Sequence, residues 1–117
     1  MSKRVPTFAY QFDDGTAPPL FAGPGFWPIA THSSEIQYLF DQPNAPFATP
    51  LSPDQEALAA KMRAAWANFA ASGDPASPTV PWPSFNGSGS VLSLVRPQPQ
   101  IDPNFATTHN CSFWAAG

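Results

Sequence analysis

The chain has 117 residues, of which 43% are hydrophobic and 14% aromatic, while charged residues make up only 11%. This composition excludes disorder along the whole chain, because disordered segments lack aromatics and carry high net charge. The net charge is −3, and the five basic residues form no stripe, so the sequence offers no electrostatic basis for binding nucleic acid or an anionic membrane surface.

The low charge content also bears on domain organisation. A globular domain usually has roughly 25% charged residues, and a small free-standing domain needs polar residues to cover its surface. The composition therefore indicates a chain that packs against further protein. No apolar run is long enough to span a bilayer, and the basic start of the chain has no apolar run after it, so neither a membrane span nor a signal peptide is predicted. A single cysteine leaves the compartment open.

The first predicted element is a strand over residues 5–12. Phe8, Tyr10 and Phe12 share one face of this strand at a period of two. The turn residues 13–15 end it, and the prolines that follow prevent its continuation. Because a single strand is not stable alone, this one must pair with another.

A proline- and glycine-rich connection then leads to Phe26–Phe40, the stretch around which the rest of the chain is organised. It holds a loop histidine, His32, followed by two serines and Glu35. Ser34 and Gln37 fit a capping box, which predicts a short helix directly after the loop. The predicted buried face of that helix consists of Ile36, Leu39 and Phe40.

The clearest predicted helix spans residues 53–72. Ser52 is its N-cap candidate and forms a second capping box with Gln55, Pro53 occupies the first helical position, and Gly73 follows the last turn. The apolar stripe of this helix consists of Leu58, Met62, Ala65, Trp66 and Phe69. After an irregular segment, Val91–Val95 predicts a strand and residues 107–116 predict a terminal helix. No internal repeat or domain boundary is visible.

His32 is the candidate for chemistry. A loop histidine after a strand is what serine hydrolysis needs from a general base, whose imidazole must reach a nucleophile while a carboxylate holds its other nitrogen. Glu35 could orient His32, but a carboxylate at a helix start more often caps the helix or binds water. On these residues alone, a structural histidine in a proline-rich loop is the simpler interpretation.

The chain does not contain a complete catalytic triad. No G-x-S-x-G motif occurs, and Gly87-Ser88-Gly89-Ser90 has the wrong spacing, in a segment whose glycines and serines predict flexibility. Ser33 and Ser34 are better explained by helix capping than by nucleophilic attack. His109 and Cys111 form an H-x-C pair, but two histidines and one cysteine do not reach the ligand count of a zinc site. Neither a metal nor a cofactor is predicted.

Five segments in order resemble the C-terminal part of the type-B carboxylesterases, the family that includes cholinesterases and p-nitrobenzyl esterases. The two most specific patterns are H-x-x-E-x-x-Y-x-F from His32 to Phe40 and W-x-x-F-A-x-x-G-D-P from Trp66 to Pro75. The other three segments are Tyr10–Phe12, Trp82–Phe85 and Cys111–Trp114. The resemblance covers nearly the whole chain but only the last part of such an enzyme.

The resemblance implies an α/β fold class, with residues 1–117 as an incomplete, C-terminal fragment of an α/β-hydrolase domain and residues 5–12 as a late strand of its sheet. It implies a serine esterase with a Ser-His-Asp/Glu triad in which His32 is the catalytic histidine. Glu35 and Ser34 then lie beside it without contacting substrate. The implied partners are a small-molecule carboxylic ester and the missing N-terminal part of the same fold. The nucleophile, the triad acid and the oxyanion hole are implied to lie upstream, so the isolated chain is expected to be inactive.

Two positions qualify this resemblance. Ile29 stands where the family usually has a glycine before the histidine loop, which affects the expected loop geometry. Cys111 matches a position that is disulfide-bonded in animal members, and its partner is implied to lie upstream.

Two alternatives stay open. One is a non-catalytic, cholinesterase-like interaction protein, although such proteins often lose the triad residues and His32 is retained. The other is a truncated gene product without a function of its own. An upstream G-x-S-x-G motif would separate the enzyme from the first alternative, and cooperative unfolding of the chain would count against the second.

Overall fold

The computed structural model describes residues 4–19, 29–41, 49–85 and 90–115. Within these ranges the strands form one mixed sheet, in the order β1-β2-β3. In chain order, the elements are β1 (Ala9–Phe12), α1 (Ile36–Leu39), α2 (Pro53–Ser72), β2 (Val91–Leu94), β3 (Gln100–Asp102), α3 (Phe105–Thr108) and α4 (Cys111–Ala115).

The sheet is built around β2. This strand pairs in parallel with β1, with Ala9 opposite Val91, and antiparallel with β3, with Leu92 opposite Ile101. All four residues of β2 are buried. Parallel neighbours need a long crossover connection, and here the crossover contains α1 and α2. The expectation that the first strand pairs with another is confirmed, although the paired part begins at Ala9 rather than at residue 5.

Helix α2 has the predicted bounds because its ends are determined locally. At its start, the Ser52 hydroxyl accepts from the Gln55 amide nitrogen at 3.4 Å, and the Gln55 side chain accepts from the Ser52 amide nitrogen at 2.8 Å. At its end, Gly73 has a φ of 78°, which is in the left-handed region that glycine adopts without a steric penalty. The predicted capping box and the predicted termination are both confirmed.

Aromatic side chains join the sheet to the two crossover helices. The ring of Phe12 packs edge-on against Tyr38 of α1, with centroids 5.0 Å apart. The ring of Tyr10 packs in the same way against Trp66 of α2 at 5.1 Å. The indole of Trp82 also donates a hydrogen bond to the Ala9 carbonyl at 3.2 Å. The predicted aromatic face of the first strand is therefore the face that both helices cover.

Three sequence-based predictions are wrong in detail. Helix α1 ends at Leu39 and the chain is extended at Phe40, which leaves Phe40 63% exposed, whereas Tyr38 is fully buried. Phe69 lies at the margin of the core and is 50% exposed. The predicted terminal helix is two short helices, α3 and α4, because Asn110 between them has a φ of 52° and interrupts the helical backbone.

Candidate functional site

His32 lies in a tight turn over residues 32–35, which leads directly into α1. His32 is an exposed residue. Ser33 has a φ of 68°, a left-handed conformation that non-glycine residues rarely adopt. The turn is closed by Ser34, whose backbone nitrogen and hydroxyl both donate to the Thr31 carbonyl, at 3.1 and 2.7 Å. We call residues 31–35 the His32 turn.

Ser34 stabilises this turn and does not cap α1. The residue is completely buried, and its hydroxyl is used by the Thr31 carbonyl. Glu35 is the N-cap residue of α1 and makes no side-chain cap hydrogen bond. The predicted capping box of Ser34 and Gln37 is therefore wrong. The Gln37 amide donates instead to the carbonyls of Ser34 and Pro18.

The carboxylate of Glu35 lies within electrostatic reach of β1. Burial and, secondly, the charge of Glu35 raise the pKa of Tyr10 above its usual value. Within the described ranges, no hydrogen bond joins Glu35 to the imidazole of His32. The structure thus places His32, Ser34 and Glu35 in one turn but does not pair the carboxylate with the histidine.

A buried carboxylate that the sequence analysis did not single out lies next to this region. Asp14, two residues after β1, is only 2% exposed. Its Oδ2 accepts from the Tyr38 hydroxyl at 2.6 Å, and its Oδ1 accepts from the nitrogen and the hydroxyl of Thr16 at 3.0 and 2.8 Å. Arg96 donates to Oδ1 from Nε at 3.0 Å, and Gln55 donates to Oδ2 at 3.4 Å. We call these five residues the Asp14 cluster.

The Asp14 cluster holds Asp14 ionised and Tyr38 protonated. Burial alone pushes the pKa of Asp14 upward, but the hydrogen bonds from Tyr38 and Thr16 and the charge of Arg96 outweigh it, and the net shift is downward. Burial and the neighbouring Asp14 raise the pKa of Tyr38 far above its usual value. The hydrogen bond between them is therefore one between a neutral donor and a charged acceptor, which is stronger than a bond between two neutral groups.

The lowered pKa of Asp14 predicts a loss of stability in acid. A carboxyl group whose pKa is lower in the folded state contributes its full stability above its unfolded pKa, about 3.9, and loses it as the pH falls through the folded pKa. Tyr38 stays neutral in this range because its pKa is raised, so Asp14 is the partner in the Asp14–Tyr38 hydrogen bond that changes its charge. The urea concentration at the unfolding midpoint of the unchanged chain should decrease when the pH is lowered below about 4. The difference between this midpoint and that of Asp14→Asn should become smaller in the same pH range. A gap of constant size from pH 7 to pH 3 would contradict this expectation.

An apolar cavity lies elsewhere on the chain. It has a volume of about 360 Å³ and is lined mainly by residues of the segment before β1, of β1 itself and of α2, including Val5, Tyr10, Trp66 and Phe69. None of its lining residues belongs to the His32 turn. The His32 turn and this cavity are therefore separate features of the described residues.

The H-x-C pair does not form part of a metal site in the described ranges. The Nε2 atom of His109 lies 2.8 Å from the side-chain oxygen of Gln11, and the His109 ring packs against the ring of Phe105. Cys111 is a free, half-buried thiol. Among the residues that the structure describes, no three histidine, cysteine or acidic side chains come together in a way that could hold a metal ion. The helices in the same ranges include none that is both long and apolar enough to cross a bilayer.

A model of the carboxylesterase family matches residues 1–114. Bile salt-activated lipase of Mus musculus is 36% identical over 102 residues, which are 81% of this chain and 16% of the lipase. Carboxylesterase 3 of Homo sapiens is 30% identical over 117 residues, covering 94% of this chain and 20% of the relative. Acetylcholinesterase of Bungarus fasciatus is 28% identical over 110 residues, which are 92% of this chain and 18% of the acetylcholinesterase.

The fold matches solved esterase structures. A thermophilic PNB esterase superimposes with a TM-score of 0.72 at 21% identity, over 94% of this chain and 22% of the esterase. The fold is thus a part of the α/β-hydrolase architecture, as the resemblance implied. The chain spans only about a sixth to a fifth of the length of the curated relatives named above. With the family match extending over nearly every residue, this chain belongs to the carboxylesterase family.

Proposed function

We propose that this chain is the segment of a carboxylic ester hydrolase that supplies the catalytic histidine. The observation that carries the proposal is the position of His32, exposed on a hydrogen-bonded turn after β1 and inside the region that matches the carboxylesterase family. Retention of a histidine at this position favours an enzyme over a non-catalytic relative.

The reaction requires the rest of the domain. We use the term complete esterase for this segment joined to the remaining part of a carboxylesterase domain, which supplies a nucleophilic serine, a triad acid and an oxyanion hole. His32 accepts the proton of the serine hydroxyl as its oxygen attacks the ester carbonyl, and then gives that proton to the departing alcohol. In the second half, His32 takes a proton from water, whose oxygen attacks the acyl-enzyme, and returns it to the serine as the acid leaves.

The His32 turn suits this role physically. A general base must come within hydrogen-bond reach of the proton that it takes, which requires an accessible ring on a well-placed backbone. His32 is exposed, while the backbone beside it is held by the two hydrogen bonds from Ser34 to Thr31. Ser34 holds the turn closed through its bonds to Thr31, Glu35 is the N-cap residue of α1, and neither carries a step of the proposed reaction.

The substrate class follows from what the relatives have in common. Their names include a bile salt-activated lipase, an acetylcholinesterase and a carboxylesterase, and the solved neighbour is a PNB esterase. Hydrolysis of a carboxylic ester is the chemistry that these names share. No metal or cofactor enters the proposed reaction, because serine, histidine and a carboxylate suffice for acyl transfer.

The experiment that tests the proposal measures p-nitrophenol release from a short p-nitrophenyl ester. The complete esterase should turn over the ester and should lose this activity with His32→Ala. The isolated chain should give no release above buffer, because it has no G-x-S-x-G serine to acylate. Turnover by the isolated chain would contradict the proposal, and so would a complete esterase that is indifferent to His32.

A further inference from the structure

We propose that Asp14 is a positioning residue for His32 and acts on it through the hydroxyl of Tyr38. This inference rests on the proposed function, since it assumes that His32 is the general base. Asp14 itself contacts no reacting atom. Its partners in the structure are Thr16, Tyr38, Gln55 and Arg96.

The first link is the hydrogen bond between Asp14 and Tyr38. Both side chains are fully or almost fully buried, with 2% of Asp14 and 0% of Tyr38 exposed. Water therefore cannot replace either partner, and a buried donor left without its acceptor costs free energy. The edge-on contact of the Tyr38 ring with Phe12 further limits the direction from which the hydroxyl can approach.

The second link is the dependence of α1 on these contacts. The helix has four residues, a single turn, and a helix of this length is not stable by itself in water. Its position is therefore set by tertiary bonds. Tyr38 makes two of them, since its hydroxyl donates to Asp14 at 2.6 Å and its carbonyl accepts from Arg63 of α2 at 3.0 Å. Gln37 makes a third, to the carbonyl of Pro18 in the loop after β1.

The third link connects α1 to the histidine. The Ile36 nitrogen donates to the Ser33 carbonyl at 3.2 Å, and the Ser34 nitrogen and hydroxyl donate to the Thr31 carbonyl. Ser33, which follows His32, is thus hydrogen-bonded to the first residue of α1, and Thr31, which precedes His32, is bonded to Ser34 within the turn. A shift or rotation of α1 moves the His32 turn with it.

The remaining contacts of Asp14 keep its carboxylate in place. Arg96 follows β2 and holds Oδ1 at 3.0 Å, while Gln55 comes from the first turn of α2. Asp14 itself follows β1. The cluster therefore connects the ends of both parallel strands and the start of α2, and it presents one fixed acceptor to Tyr38.

The sharpest test removes only the hydroxyl that joins the cluster to α1. Tyr38→Phe in the complete esterase keeps the ring and its packing against Phe12. We expect kcat to fall about 10- to 100-fold, because a base displaced by about 1 Å loses activity on that scale. KM should change little, since no substrate contact is altered. The assay is p-nitrophenyl ester turnover well below the melting temperature.

The chain offers a matched control in its other tyrosine. Tyr10→Phe deletes the same atom from a ring that packs on Trp66 and Trp82 and that takes no part in the hydrogen bonds of the Asp14 cluster. This variant should keep the kcat of the unchanged enzyme. Equal losses of kcat in Tyr10→Phe and Tyr38→Phe would overturn the proposal, because they would reflect a general effect of removing a hydroxyl.

A double variant separates positioning from stability. If Tyr38 acts through His32, removing its hydroxyl should not lower the rate any further once His32 has been replaced by alanine. The reason is that the effects of substitutions at residues that act as a unit do not add. The residual rate of His32→Ala should therefore be the same with and without Tyr38→Phe. If the residual rate falls by the same factor as in the unchanged enzyme, Asp14 and Tyr38 serve the fold alone and the proposal is wrong.

The outcomes distinguish this inference from the proposed function. Normal turnover by His32→Ala contradicts the proposed function itself. If His32→Ala loses kcat while a folded Tyr38→Phe variant keeps the full kcat, only the positioning role is contradicted. Asp14→Ala removes the same link from the other side and should lower kcat at least as far. If neither variant folds, as judged by circular dichroism, the cluster is needed for folding and the positioning role is rejected.

Discussion

The complete esterase with His32→Ala is expected to lose about three to six orders of magnitude in kcat, which is the scale on which members of a catalytic triad act. The reason is chemical: without a general base the serine hydroxyl stays protonated during attack, and no group returns the proton to the departing alcohol. KM should change far less, because the exposed imidazole contributes little to substrate binding. The measurement is steady-state release of p-nitrophenol.

His109→Ala is the matched control for this variant. The chain has two histidines, and both are exposed in the structure. His109 contacts Gln11 and Phe105 near the C-terminal helices and lies outside the His32 turn. Its replacement should leave kcat unchanged. A comparable loss in both variants would show that the assay detects unfolding, and no loss in His32→Ala would refute the proposed function.

Leu92→Ala is expected to lower the free energy of unfolding of the chain by about 2–5 kcal/mol, the usual cost of removing a buried leucine side chain. Leu92 is completely buried in the central strand β2, where it belongs to the core that includes Leu58 and Met62 of α2. Removing its side chain leaves a cavity between the sheet and the helix. Urea denaturation of the 117-residue chain measures the effect.

Ile101→Ala provides the comparison for Leu92→Ala. Ile101 is paired with Leu92 across the sheet, but it lies on the edge strand β3 and is 39% exposed. Its truncation removes a side chain of the same size from a partly hydrated position. The decrease in the free energy of unfolding should therefore be clearly smaller than for Leu92→Ala. Equal losses at the two positions would contradict the assignment of β2 as the buried centre of the sheet.

Local sequence signals predict α2 well and the sheet less well. The capping box of Ser52 and Gln55 and the glycine at position 73 lie within a few residues of the helix ends that they determine, so the bounds of α2 follow from the sequence. Strand β3 was not predicted, because its three residues stand between Pro99 and Pro103 and show no alternating pattern. Its formation depends on pairing with β2.

The sequence also predicts only one part of the candidate site. His32 and its neighbours are visible as a local pattern of residue types, and the resemblance to a family adds a role for them. The Asp14 cluster is not visible, since Asp14 meets Tyr38, Gln55 and Arg96 across 24, 41 and 82 residues of sequence. Asp14 looks like an ordinary turn residue until the fold brings these partners together. The wrong buried face of α1 has the same origin, because Tyr38 is drawn inward by Asp14.

The position of β1 at the edge of the described sheet has a practical consequence for handling this protein. An edge strand offers unpaired backbone groups to any other extended chain, and nearby exposed apolar side chains such as Val5 and Tyr10 add to the attraction. At high concentration, self-association through β1 therefore competes with folding of the separate segment.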